Sequence, residues 1–222
     1  MKIAIDGPAG AGKSSVAREV ARRLGFKYLD TGAMYRAITF YALEEGVSLQ
    51  DEDAVAALTH HCELEVKDDE QKGNLIMLNG KDITEEIRLP LVNQYVSIVA
   101  ASSGVRRELV NLQRKTALKC RDIVMEGRDI GTNVLVDADF KFYLSASVEE
   151  RAKRRWLEMR EKKMEISFTD LLNEISMRDR IDQEREDSPL RISPDACVID
   201  TTPYSLTEVV EKVLAAISVK NR

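Results

Sequence analysis

Nine residues near the amino terminus, Gly7-Pro8-Ala9-Gly10-Ala11-Gly12-Lys13-Ser14-Ser15, constrain the fold more than any other stretch of the chain. They fit the spacing G-x-x-x-x-G-K-[ST], with Gly7, Gly12, Lys13 and Ser14 at its fixed positions. Apolar Ile3-Ala4-Ile5 precede them and Val16-Ala17-Arg18-Glu19-Val20 follow, so the loop joins a strand to a helix. Glycines let backbone approach a phosphate closely, successive N–H groups converge on the anion, and the helix N-terminus adds its dipole. Lys13 supplies a mobile positive charge, and Ser14 or Ser15 offers a hydroxyl to Mg2+. The plain alternative is a glycine-containing turn that binds nothing. The flanking strand and helix are the context that phosphate binding requires.

Further short apolar segments, at 28–29, 123–125, 141–144 and 197–199, predict strands in the same way as 2–5, and helical patterns lie between them. Such alternation predicts an α/β fold, a parallel sheet covered by helices on both faces, with ligands at the carboxyl ends of the strands. A chain of 222 residues suits one core plus an excursion. The excursion falls at 60–103. Apolar and polar residues alternate from Cys62 to Val66, the charged turn KDDEQKG leads into NLIML, and Asn79-Gly80 is a strong hairpin signal. DITEEIRLPLVNQYVSIVAASSG then reads as one or two short helices, with Pro90 near a start. The predicted division is a core of 1–59 and 104–222 and an insert of 60–103.

A net charge of −5 argues against a general nucleic-acid or membrane-surface binder, while permitting a local basic cleft. No apolar run approaches membrane-spanning length, and a strand begins within two residues of Met1, so a cytoplasmic protein is expected. Cys62, Cys120 and Cys197 lack the close spacing of a zinc or disulfide framework and predict reduced, packed thiols. His60 and His61 read as the end of a helix.

Four further segments carry chemistry. YLDTGAMYR (28–36) brings Thr31 and Arg36 to the ligand edge of the sheet, and EGRDIGT (126–132) brings Arg128 and Asp129. In SVEERAKRRWLEMREKK (147–163), Arg151 and Arg155 share a helical face; in MRDRIDQERED (177–187), Arg178, Asp182 and Arg185 form one stripe. Taken singly, each has a structural reading as a cap, a solvated helix face or local ion pairs worth a few tenths of a kcal/mol. Two dense clusters flanking one hinge-like segment shift the balance toward function.

GPAGAGKS, LDTGAMYR, EGRDIGT, ERAKRR and the R-x-x-x-D-x-x-R of 178–185 occur in the order found in the bacterial cytidylate kinases, with an insert between the second and third. The chain resembles that family over nearly its whole length. The resemblance implies a P-loop three-layer α/β/α fold with a five-stranded parallel sheet, a small antiparallel β/α insert and a helical lid at about 153–168. It implies transfer of the γ-phosphoryl of ATP to CMP or dCMP with Mg2+, by a monomer that binds no nucleic acid or membrane. Residues Gly7 to Ser15 would hold the ATP phosphates, with Ser14 on the metal, and Arg151 and Arg155 would begin the lid. Arg36 and Arg128 match positions that grip the acceptor phosphate; Thr31 stands where some relatives carry serine. Arg178, Asp182 and Arg185 match positions near the acceptor sugar and phosphate, with Asp182 assigned the ribose hydroxyls. Lys13, Arg128, Arg155 and Arg178 would assist transfer itself.

An acceptor phosphate has a second pKa near 6 and is already anionic, so it needs no general base; the lack of an obvious catalytic histidine fits. Cytosine shows an amino donor beside two acceptors, and Asp129, Arg106 and Ser97 offer the complementary set. Uracil would leave Asp129 unmatched, a discrimination of roughly 1–3 kcal/mol, so weaker UMP use is expected. Arg107 is an alternative to Arg106, and Glu126 stands where aspartate is common. Rival readings are another small-molecule kinase of this fold, which the insert argues against, and an ATP-dependent switch, for which no water-positioning residue is visible.

Overall fold

The computed structural model describes residues 1–69, 73–161 and 164–220. Along the chain run β1 (Lys2–Asp6), α1 (Lys13–Leu24), β2 (Lys27–Asp30), α2 (Thr31–Glu44), α3 (Glu52–His61), β3 (Leu64–Asp69), β4 (Gly73–Leu78) and β5 (Lys81–Asp82). There follow α4 (Pro90–Ala101), α5 (Ser103–Lys119), β6 (Ile123–Gly127), β7 (Phe140–Ser145), α6 (Val148–Glu161), α7 (Phe168–Glu184), β8 (Cys197–Asp200) and α8 (Leu206–Lys220). The five predicted core strands are all present, each reaching a residue or two beyond its apolar centre.

Those five form one parallel sheet in the order β2-β6-β1-β7-β8. Both faces are covered, so the strands read as continuous apolar runs. Ile3 and Ile5 join α1 and α8 in one cluster, through Val16, Val20, Val210 and Val213. Ala4, on the opposite face, joins Leu29, Met125, Met34 and Ile38 in the other. β1 lies at the centre, with β6 on one side and β7 on the other. The loop leaving it therefore opens where successive connections diverge, the place where sheets of this class bind ligands.

The smaller sheet, β3-β4-β5, is antiparallel. Asn79 (φ 49°) and Gly80 (φ 79°) turn its hairpin, the two successive positive angles that a tight primed turn requires. Residues Glu70, Gln71 and Lys72 of the KDDEQKG turn lie outside the described residues. Pro90 begins α4 at its first turn, where a missing N–H costs nothing. Leu64, Ile76, Leu78, Ile87 and Val96 share the apolar cluster of α2 and the main sheet. Asn74 fastens the two sheets together: its Oδ1 accepts from Asp30 N at 2.7 Å and its Nδ2 donates to Tyr28 O at 2.8 Å. The side-chain amide thus acts as one more peptide unit on the free edge of β2.

His60 and His61 close the last turn of α3 as predicted. Cys62 and Cys120 are half-buried, and burial pushes the Cys62 thiol up to about 11. Cys197 departs from the expected packed thiol: it is exposed, because it opens the edge strand β8. No helix among the described residues is long and apolar enough to cross a membrane.

Candidate active site

Backbone shape comes first at the phosphate loop. Gly7 has φ 150°, and a Cβ there would fall 2.1 Å from Leu144 O, so only glycine fits against β7. Gly12, at φ 87°, is the N-cap of α1, and its left-handed turn aims the helix N-terminus into the loop. Lys13 Nζ donates to Pro8 O at 2.8 Å, so the ammonium lies coiled within the loop. Burial, then the neighbouring Arg128 charge, pushes Lys13 down to about 7 against the pull of Glu126, Asp182 and Asp6.

Two groups brace the loop from behind. Arg151 Nη1 donates to Ala9 O at 2.9 Å, and the same guanidinium makes a two-pronged pair with Asp179 of α7, at 3.0 and 2.5 Å. Thr201 Oγ1 contacts Ala11 O at 3.3 Å. Arg154 in turn donates to Thr201 O at 2.7 Å and to Glu150 at 3.0 Å.

A cavity of about 390 Å³ runs from this loop to a cluster of arginines. On the loop side its wall includes Ala9, Gly10, Gly12, Lys13, Ser14 and Ser15, with Arg154 and Arg155 from α6. On the far side stand Thr31, Arg36, Ser97, Arg128, Asp129, Arg178, Asp182 and Arg185. The sequence segments containing these residues therefore do converge on one space. Gly7, Pro8 and Ala11 belong to the loop but not to the wall.

Arg151 differs from its expected place: it stands behind the loop, tied to Ala9 and Asp179, while Arg154, unmarked in the sequence reading, lines the cavity. Register is the reason. With α6 starting at Val148, Arg151 turns inward at 3% exposure, and the next turn presents Arg154 and Arg155. Arg155 pairs with Glu158 at 2.9 Å. Of the two candidates on α5, Arg106 is buried and Arg107 exposed. Arg106 lies outside the wall itself and acts on it through Asp129.

The far side is organised by ion pairs that cross from the end of β6 to α7. Arg128 Nε donates to Asp182 Oδ2 at 2.7 Å, and Arg185 Nη2 donates to Asp129 Oδ1 at 3.1 Å. Asp129 Oδ2 also accepts from Arg106 at 2.5 Å and from Asn133 at 3.1 Å. Burial works against the Asp182 carboxylate, yet Arg128, Arg185 and Arg178 hold it below the usual carboxylate range.

Arg178 is the exception to this pairing. Among the described residues its Nε is buried without a partner, and burial, with Arg128 and Arg36 beside it, pushes the guanidinium down to about 10. Arg36 Nη1 lies 3.6 Å from Asp30, whose carboxylate caps α2 through Ala33 N at 2.9 Å. Three guanidinium groups in mutual repulsion, one with an unmet donor, make a place that an anion would relieve.

Between the two ends sits Glu126, 3% exposed. Tyr28 donates to its Oε1 at 3.1 Å, Thr31 Oγ1 donates to its backbone O at 2.8 Å, and Ser14 shares the cavity wall with it. Burial, with Asp30 second, raises its pKa. Tyr35, also in the wall, lies with its ring 5.8 Å from the Arg106 guanidinium. No signal in the sequence singled out Tyr35 or Asp30 beyond their place in LDTGAMYR.

Comparison with known proteins shows what the whole chain is similar to. A family model described as cytidylate kinase matches residues 3–219. A cytidylate kinase of Caldanaerobacter subterraneus subsp. tengcongensis is 49% identical over 217 residues, covering 98% of this chain and 94% of the relative. One of Bacillus subtilis (strain 168) is 48% identical over 222 residues, covering 100% and 98%. Among solved structures, a gluconokinase from Sinorhizobium meliloti 1021 superposes with TM-score 0.51 at 16% identity, covering 98% of this chain and 91% of that one. A shikimate kinase from Bacteroides thetaiotaomicron does so with TM-score 0.50 at 10% identity, covering 98% of each. The structural likenesses speak for the fold alone.

Proposed function

The chain belongs to the cytidylate kinase family, and from that membership we propose how its own residues carry the γ-phosphoryl group of ATP to a cytidine monophosphate. The protein is an enzyme, a nucleoside monophosphate kinase that phosphorylates CMP with ATP. The proposal extends the acceptors to dCMP and assigns each residue its part.

The orphaned Arg178 Nε among Arg36 and Arg128 is the observation that carries the assignment of the acceptor end. The acceptor's phosphate enters there, facing the Lys13 loop, which takes the ATP phosphates on its N–H groups. Arg128 exchanges part of its bond to Asp182 for a phosphate oxygen, and planar guanidinium forks suit that oxygen geometry. Because the acceptor is already ionised near neutral pH, alignment and charge neutralisation are what the protein must supply. Arg154 and Arg155 approach the transferred group from α6, and closure of the segment at 153–168 excludes water. Lys162 and Lys163 of that segment lie outside the described residues.

Mg2+ fits the oxygen donors present. Ser14 and Glu126 line the same cavity, and no cluster of three metal-binding side chains occurs among the described residues. Mg2+ is commonly held by one or two protein oxygens with waters and phosphates completing its shell. Ser14 would ligate it and Glu126 would hold a bound water. Bound there, the ion would supply positive charge that offsets the phosphates' negative charge.

For the base, Asp129 already accepts three hydrogen bonds, from Arg106, Arg185 and Asn133. An ionised carboxylate has about four acceptor positions, which leaves one for the cytosine amino group. Ser97 supplies a donor from the 60–103 segment, which serves as the acceptor-binding insert. Asp182 takes the ribose hydroxyls, and Thr31 flanks the phosphate. The enzyme works as a monomer in the cytoplasm.

ADP formation is to be followed with Mg-ATP and CMP, dCMP, UMP, AMP, GMP or no acceptor. Fast turnover with CMP and dCMP and weak turnover with UMP are expected. Hydrolysis without any acceptor, at the rate seen with CMP, would overturn the reading.

A further inference from the structure

One buried carboxylate has no part in the roles assigned above. Asp6 ends β1, immediately before the phosphate loop, and is 5% exposed. Its Oδ1 accepts from Ile130 N at 2.8 Å and its Oδ2 from Gly131 N at 2.7 Å. Those two amides open the short π turn at Ile130–Val134, directly after Arg128 and Asp129. Asp6 therefore joins the strand that launches the phosphate loop to the turn that follows the two acceptor-facing residues. Both bonds run through side-chain oxygens of one ionised group, which is the only form of an aspartate that can accept from two amides at full strength.

We propose that Asp6 is a positioning residue for the acceptor: its carboxylate fixes the turn after β6 and so sets where Arg128 and Asp129 stand relative to the ATP phosphates. This rests on the kinase reading above. The phosphate loop has independent braces in Arg151 on Ala9 O, Thr201 on Ala11 O and Gly7 against Leu144. Among the bonds described for the first two residues of the turn, the two to Asp6 are the ones that reach β1. Loss of Asp6 should therefore fall on the acceptor side of the reaction.

The surroundings of Asp6 make its charge state part of this role. Burial raises its pKa to about 6 against the two amide bonds; Asp129 raises it further and Lys13 lowers it. From β7, Tyr143 stands opposite in the ladder, and the Lys141 chain passes the same spot with its ammonium on Asp195 at 2.9 Å. Below about pH 6 the carboxylate becomes an acid and gives up one of its two acceptor positions.

Asp6→Asn keeps the shape, but its amide NH2 faces one of the two N–H groups. The expected result is an increase of about tenfold in the KM for CMP with a fall in kcat and a KM for ATP within about twofold, in a variant that still unfolds cooperatively. Across pH 5 to 8, the wild-type to variant ratio of kcat/KM for CMP should fall as pH drops through about 6, the ionisation of CMP itself cancelling in the ratio. Gly131→Ala serves if the first variant fails to fold. A Cβ there would lie 3.3 Å from Asp6 Oδ2 and 3.1 Å from Lys141 Cδ, crowding the contact while leaving the charge, and should raise the KM for CMP by a smaller factor. Equal effects on both substrates, or a lowered melting temperature with unchanged kinetics and a flat pH ratio, would overturn the proposal. Wild-type protein without CMP-dependent turnover would instead overturn the kinase reading.

Discussion

Replacing Asp129 with asparagine tests the acceptor site at its most loaded point. The side chain is 7% exposed and receives two arginines that are themselves 4% and 3% exposed, at 2.5 and 3.1 Å. Solvent screens none of these charges appreciably. The amide keeps one good acceptor, but its NH2 points donors at a guanidinium that needs an acceptor. A hydrogen bond to a charged group contributes about 1.5–3 kcal/mol and a neutral one about 0.5–1.5, so two weakened bonds cost about 2–4 kcal/mol. That approaches the roughly 3–5 kcal/mol seen when a buried ion pair loses one partner. At about 2–4 °C per kcal/mol for a chain of this size, the melting temperature should fall by roughly 5–15 °C.

The same change inverts the hydrogen-bond character offered to the base. The amide NH2 repels the cytosine amino group and can donate to uracil O4, so the preference for CMP over UMP in kcat/KM should drop by roughly 10- to 100-fold. Both quantities are read on one preparation, by thermal unfolding and by coupled assay of ADP with each acceptor. An unchanged CMP to UMP ratio would refute the placement of Asp129 against the base. An unchanged melting temperature would refute the worth assigned to its two arginine pairs.

Arg178→Met should raise the ligand-free melting temperature or leave it unchanged, since it removes one of three repelling cations, and should abolish the stabilisation that CMP confers; a loss of stability with normal CMP protection would contradict its role as the anion's partner. Asn74→Ala removes two bonds between the sheets and should cost about 1–3 kcal/mol in urea unfolding, with the KM for CMP rising more than that for ATP. Asp6 also predicts a pH effect on stability. Its folded pKa of about 6 lies above the ordinary 3.8, so the folded state holds the proton more tightly and the wild type loses about 3 kcal/mol relative to low pH as pH rises from about 4 to above 6. Unfolding free energies at pH 4.5 and 7.5 should show a decline that is about 2 kcal/mol larger in the wild type than in Asp6→Asn.

The phosphate loop, the five core strands, the Asn79-Gly80 hairpin and the start of α4 at Pro90 were all legible because each is a local signal, in spacing or turn chemistry. The acceptor cluster was legible only as a set of segments. Which arginine faces which carboxylate depends on contacts between residues 23, 54 and 56 positions apart, and no periodicity encodes those. The exchange of Arg151 for Arg154 shows the limit sharply: both lie in AKRR or beside it, and the start of α6 decides which turns toward the loop. Asp6 escaped notice because an aspartate at a strand end has no pattern of its own; its two amide partners lie 124 and 125 residues away.

The bracing of the phosphate loop by Arg151 has a mechanical consequence for any movement over the nucleotide. One guanidinium grips the loop at Ala9 and α7 at Asp179, and its backbone belongs to the first turn of α6. Those bonds tie the turn to the loop and to α7, so a swing of α6 as a rigid lever from Val148 would have to break them. If the proposed lid closes, its rotation would start beyond Arg151, with the later turns of α6 as the arm and release of Arg154 from Thr201 as its first cost. Arg155 would ride on that arm while the phosphates beneath stayed where the loop would hold them.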